Sequence, residues 1–441
     1  MLALMNLANL LHFLQKSAAS CRAGVSRRGA AACGILVAAT ALGIPGTLCA
    51  EGQETSEYFR HEREFGELLS WQNQMGYDRM PVSEKALLGI PVRRDGFIPR
   101  LSVTEEYIDN VFFTARDRRA DYITKVAPGL QYVTSGRDGQ LIADYSVESR
   151  VYANNPNQNR AVSRQNGELF GQYNLTSRTS LTIFDRFESF QDPTEQQVPG
   201  ILGSFGRTSI NIGILMAKHR LTPNVDLLLN YGNFLWSGGA PGAVNSMTHE
   251  GELGVRLRGT QWGRTTAKYR LRVFDFQSGR DFQSHTAMVG HEIDLSETLV
   301  LAGTVGVVRV TPDSSTNVMA QASIKKSIGD ALMEVSYGRD VFPPSGGLSR
   351  PLVGDFVRVL TKIRVANGFL LDAGLMWVLT STSSQNFTVN TLKWNAGISY
   401  VPASWLVARL GYDMFEQRED VFGTSANRLA NQVSLRLTAI F

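Results

Sequence analysis

The spacing in this sequence most able to do chemistry belongs to its arginines and lysines. Arg256 and Arg258, then Lys268, Arg270 and Arg272, stand two residues apart with mostly apolar neighbours between them. Arg358, Lys362 and Arg364 repeat the pattern, and Arg409 and Arg436 hold the same parity in their own alternating stretches. Period two places every member of such a row on one face of a strand. A guanidinium does not give up its proton, so these rows do not suit acid–base catalysis. They can line a wet surface and act on anions through their field. Asp144, Glu148, Glu252, Glu292, Glu334 and Asp413 share the polar parity of their stretches, so the expected face is mixed with a basic excess.

Bond-making motifs are missing from the sequence. It contains no Gly-x-Ser-x-Gly, no His-Glu-x-x-His and no phosphate-binding glycine loop, and His61-Glu62 continues as Arg-Glu-Phe without a second ligand. His219, His249, His285 and His291 are scattered, which leaves a Ser–His phospholipase as a minor alternative. Cys21, Cys33 and Cys49 all fall in the first fifty residues, so later residues offer neither disulfides nor a thiolate metal site. No catalytic residue, metal or cofactor is expected, and the chain does not read as an enzyme.

The elements that must carry the charged rows are strands. From Phe97 to Phe441 the pattern alternates apolar and polar residues in stretches of about ten. Ala143 to Val151, Leu253 to Arg258, Ala267 to Val273 and Val357 to Val365 are examples. Short turns headed by an aliphatic residue recur at Leu175, Leu221, Leu257, Leu295, Ile328, Val365 and Val401, a period of one hairpin. Longer stretches rich in Gly, Pro, Asn and Ser lie between them, at 154–160, 191–204, 237–246, 343–351 and 417–427. The pattern predicts an all-β fold: a transmembrane antiparallel up-and-down barrel of about 18 strands, short turns at the periplasmic end and loops outside. A soluble all-β protein with one wet face is the competing fold. Asp185 and His291 stand at apolar parity, where a bulge or a place near the rim would explain them.

The first fifty residues read as a leader, with Arg27 and Arg28 ahead of an apolar run from Gly29 to Ile44. They hold Lys16, Arg22, Arg27 and Arg28 and no acidic residue, which is the whole of the formal net charge of +4. The remainder is neutral and gives no reason to expect nucleic acid as a partner. Residues 51–96 are charge-rich, with a helix-like stretch from Ser56 to Met75, and read as a short periplasmic segment or a plug, with a partly disordered linker as the alternative. The chain then divides into leader (1–50), N-terminal segment (51–96) and barrel (97–441). Its end alternates Val433, Leu435, Leu437, Ala439 and Phe441 with polar residues, which resembles the signal read by the barrel-assembly machinery of Gram-negative outer membranes. Outer-membrane lipid is the expected surrounding.

At the start of the barrel, Pro99-Arg100-Leu101-Ser102-Val103-Thr104-Glu105-Glu106-Tyr107-Ile108-Asp109-Asn110-Val111-Phe112 precedes Asp121-Tyr122-Ile123-Thr124-Lys125-Val126-Ala127-Pro128-Gly129-Leu130. This pair of stretches resembles the outer-membrane β-barrel porins linked to exopolysaccharide gene clusters. The resemblance implies an exit channel for an exopolysaccharide or capsular polysaccharide, with a carbohydrate polymer as cargo and a periplasmic polysaccharide-export protein as partner. A diffusion porin for small anionic solutes and a structural barrel without transport are the alternatives.

Overall fold

The computed structural model describes residues 95–191, 206–238, 244–260, 263–277, 279–312, 315–329, 331–342, 352–366, 368–381, 387–421 and 424–441. The leader and almost all of the 51–96 segment lie outside these residues. Alternation becomes eighteen strands: β1 (Gly96–Ile108), β2 (Asp121–Ser135), β3 (Gly139–Tyr152), β4 (Arg160–Asn174), β5 (Thr179–Phe190) and β6 (Thr208–Thr222). There follow β7 (Val225–Gly238), β8 (Ser246–Thr260), β9 (Gly263–Phe276), β10 (Phe282–Ser296), β11 (Leu299–Thr311) and β12 (Ser315–Ile328). The last six are β13 (Ala331–Phe342), β14 (Leu352–Ala366), β15 (Phe369–Ser381), β16 (Phe387–Ala403), β17 (Leu406–Val421) and β18 (Thr424–Ile440).

Each strand pairs antiparallel with its neighbours in sequence, and β1 pairs with β18 from Arg100↔Ile440 to Ile108↔Gln432. The sheet is therefore a closed up-and-down barrel with no free edge to satisfy. One end carries the short turns, such as Pro223-Asn224, Glu297-Thr298 and Ser404-Trp405, and the other the longer connections, such as 109–120 and 153–159. The expected loop at 417–427 is mostly strand: β17 and β18 stay paired from Leu406↔Ala439 to Val421↔Thr424.

The aliphatic residues heading the turns have a structural explanation. Five strands shift register just before their turn; one shift spans Val401 and Pro402, and three enclose the single residues Leu221, Leu295 and Val365. Each is the extra residue of a bulge, and each is exposed. A bulge raises local twist, which helps a tight turn close a strongly twisted hairpin.

The outer surface explains why the sequence alternates. Exposed Leu229, Leu253, Val255, Val305, Leu410, Leu435 and Leu437 stand at one parity of their strands, with buried polar groups at the other. Aromatic residues bound this apolar belt. Phe97, Tyr173, Trp405 and Phe441 are exposed toward the turn end, and Phe369 stacks on Tyr400 there at 4.2 Å. Farther from the turns, about halfway along, five rising strands place a tyrosine six residues beyond their first residue: 139 to 145, 225 to 231, 263 to 269, 331 to 337 and 406 to 412. Each hydroxyl meets a polar side chain on the next strand: Gln165, His249, His285, Asp355 and Asn431. An apolar band between two aromatic girdles matches the outside of a transmembrane barrel.

Asp185 occupies the same place on β5 that these tyrosines occupy on theirs, and Asn211 donates to it at 3.2 Å. No bulge lies at Asp185 or at His291, which are both paired in regular register. His291 instead turns outward beside Thr265 at 2.9 Å. Asp185 is thus accounted for by its place in the ring of polar pairs.

Candidate functional site: the barrel interior

Ion pairs that jump over strands identify the concave face. Arg100 of β1 reaches Asp144 of β3 across β2 at 2.6 Å, and Arg409 of β17 reaches Asp372 of β15 across β16 at 2.7 Å. Arg270 of β9 reaches Asp340 of β13 at 3.0 Å, over three intervening strands. Adjacent strands lie about 4.8 Å apart, so the last pair bridges roughly 19 Å of sheet. Only the inside of a sharply curved sheet permits that.

Residues sharing the parity of these pairs therefore face inward. They include Arg256 and Arg258 on β8, Lys268, Arg270 and Arg272 on β9, Arg358, Lys362 and Arg364 on β14, Arg409 on β17 and Arg436 on β18. Acidic partners hold many of them. Arg258 pairs with Asp226. Lys268 lies 2.9 Å from Glu252, which also faces Arg270 at 3.3 Å. Arg272 meets Glu250 at 2.6 Å and Asp340 at 3.3 Å, and it donates to the Val341 carbonyl at 2.7 Å. Lys268, Arg270 and Arg272 thus meet Glu250, Glu252 and Asp340, three charges against three. Burial of a charge is tolerated when such partners replace water.

Arg409 and Arg436 stand directly opposite each other in register, and the two are parted by their hydrogen bonds. Arg409 swings to Asp372, while Arg436 donates to Thr104 of β1 at 3.3 Å. Arg256 and Arg358 are buried in the interior, and Lys362 and Arg364 are half-buried. Four more of the expected acidic residues find partners: Asp144 with Arg100, Glu148 with Arg150 at 2.6 Å, Glu334 with Lys325 at 3.6 Å and Glu292 with Arg264, while Asp413 stands inward opposite Gln432 in register.

Sequence reading missed Glu250, Asp226, Asp340 and Asp372, as well as the pair of Glu106 with Lys125 at 2.6 Å. All stand at the inward parity, so alternation could have found the residues. It could not have found partners on strands far apart in the chain.

The interior also holds an apolar zone toward the loop end. Ile108, Ile123, Tyr152 and Phe415 pack there with Val111 and Phe113 of the 109–120 connection. Phe113 lies 4.8 Å from the ring of Phe415, and Asn110 fixes the base of the connection through the carbonyls of Thr114 and Leu429. Phe342, Leu352, Phe356, Val378, Phe387 and Val389 form a second apolar patch on β13 to β16. Inward apolar patches therefore gather toward the loops, where they lie among charged pairs such as Glu106 with Lys125 and Glu419 with Arg428.

His219, His249, His285 and His291 stand at the outward parity beside Thr179, Tyr231, Tyr269 and Thr265. Among the described residues, no group of three His, Cys, Asp or Glu side chains could hold a metal ion. Together the fold and the site define a closed barrel, apolar without and lined within by paired charges.

No protein-family model and no curated protein matches the chain. Among solved structures it is similar to OccAB4 of Acinetobacter baumannii, at 9% identity and a TM-score of 0.39, over 80% of this chain and 100% of that one. OpdL of Pseudomonas aeruginosa shares 12% identity at a TM-score of 0.41, over 78% and 98% of the two chains. OccK9 (OpdG) of the same organism shares 11% at 0.42, over 78% and 98%. At identities and scores this low the likeness assigns the chain to no family, and its function has to be read from its own residues.

Proposed function

We propose that the protein is an outer-membrane porin through which small solutes diffuse, with a preference for anions. The observation that carries this reading is the contrast between the two faces of one closed sheet: an apolar belt between aromatic girdles outside, and rows of charge inside. A barrel that crosses a bilayer needs the first, and a water-filled path through it needs the second. The outer membrane of Gram-negative bacteria is where such barrels reside.

The anion preference is supported by β14, which contributes Arg358, Lys362 and Arg364 to the interior and no acidic residue at that parity. A wet channel in a low-dielectric wall focuses the field of such a row. Passage of small solutes fits the interior better than the exit of a polysaccharide, because ion pairs spanning several strands take up cross-section that a polymer would need. Recognition of β18 by the barrel-assembly machinery remains part of the same proposal.

Proteoliposome swelling tests it. Vesicles holding the folded protein should swell quickly in isosmotic small carboxylates, more slowly in a neutral monosaccharide of similar size, and not in dextran. Swelling no faster than in protein-free vesicles would overturn the porin reading, and equal rates for charged and neutral solutes would overturn the anion preference.

A further inference from the structure

We propose that Asp340 sets the cross-section of the pore, by clasping β13 to β9 and withholding from the conducting path the part of the interior lined by β10, β11 and β12. The proposal rests on the reading of the barrel as a pore. Arg270 and Arg272 project from β9 and both meet the Asp340 carboxylate, at 3.0 and 3.3 Å. Arg272 adds the bond to the Val341 carbonyl, so β9 holds backbone as well as side chain of β13. All three charged residues are almost wholly buried, at 1% exposure for Arg270, 0% for Arg272 and 1% for Asp340. Residues in the open wall of a water-filled pore would be far more accessible.

What lies beside the clasp agrees. In register with Arg272 and Arg270 on the neighbouring β10 are Ser284 and Thr286, both fully buried, with hydroxyls that meet no hydrogen-bond partner. A pore would bathe such hydroxyls in water, and leaving them unpaired is costly. Their burial marks this lobe as separate from the path. Toward the loop end, Phe274, Phe282, Val308, Val310 and Val341 pack into one cluster drawn from β9, β10, β11 and β13. The lobe is thus pinched by charge and capped by apolar contact.

Two measurements test the clasp. In planar bilayers, Asp340→Ala should raise unitary conductance at least roughly 1.5-fold, since conductance follows open cross-section. It should also shift selectivity toward anions, because two arginines lose a counter-charge. Independently, Ser284→Cys in the otherwise unaltered barrel should resist a water-soluble thiol reagent, with the parent chain as the blank. Adding Asp340→Ala should speed its modification about tenfold or more, by analogy with any residue moved from a closed to a wet surface.

Rapid labelling of Ser284→Cys without the second substitution would overturn the proposal, even if Asp340→Ala fails to fold. So would channels whose conductance and labelling are both unchanged by Asp340→Ala. If folded wild-type protein forms no channel while labelling still depends on Asp340, the porin reading fails and the clasp stands as a structural device.

Discussion

Arg409 and Asp372 form an ion pair across a whole strand, and they can do so because Gly397 lies beneath. A Cβ at Gly397 would sit 2.5 Å from Nη2 of Arg409. The same construction recurs near the other side of the barrel seam, where Arg100 passes over Gly129 to Asp144 and a Cβ at Gly129 would lie 2.6 Å from Nε. Both glycines are inward residues of strands that would otherwise present a side chain to the pair.

Gly397→Val should therefore displace the Arg409 guanidinium and leave a partly buried charge pair broken. The expected loss is about 1–3 kcal/mol, the range for forcing extra carbon into a packed site. Gly251→Ala is the control, since nothing lies within 4 Å of its added Cβ. Urea unfolding in detergent should separate the two variants. Equal stability would show that the crossing does not depend on the missing side chain.

Leu435→Arg puts a charge on the lipid-facing parity of β18, where the leucine is 49% exposed. Near the bilayer midplane such a substitution costs about 2–4 kcal/mol. Ser434→Arg, one residue away and facing inward, should cost much less. Refolding yield into lipid vesicles reads the difference, and similar yields would contradict the assignment of faces.

Tyr231→Phe removes only the contact to His249 at 2.9 Å. It should lower stability by less than about 1 kcal/mol, because the partner is solvent-accessible and water replaces the bond. Tyr231→Ala removes the interfacial ring itself and should cost clearly more. The order Tyr, Phe, Ala in vesicle-embedded stability tests the girdle. Equivalence of the two variants would argue that the hydroxyl, not the ring, is what matters.

Much of this architecture was legible in the sequence. Alternation along Ala267 to Val273 showed which side of β9 carries charge, and the aliphatic-headed turns marked seven of the eight turn-end connections, missing the one between β2 and β3. Other features were hidden because they depend on contacts between distant strands. Nothing local distinguishes Asp340 from any other inward acid until β9 is seen to curve against β13. The stretch 417–427 was misread because Gln417 and Glu419 look like loop residues, yet they continue the inward row of a strand pair beyond the apolar belt. Ile210, Ile212 and Ile214 on β6 face inward, so apolar character alone did not report the lipid side near the loops.

Planar-bilayer recording of the folded, full-length protein across a potassium chloride gradient tests the central claim most directly. A pore lined as described should give discrete conductance steps, with a reversal potential on the anion-selective side that moves toward cation selectivity in Lys362→Glu. Silent bilayers containing correctly inserted, heat-modifiable protein would contradict the reading of this barrel as a porin.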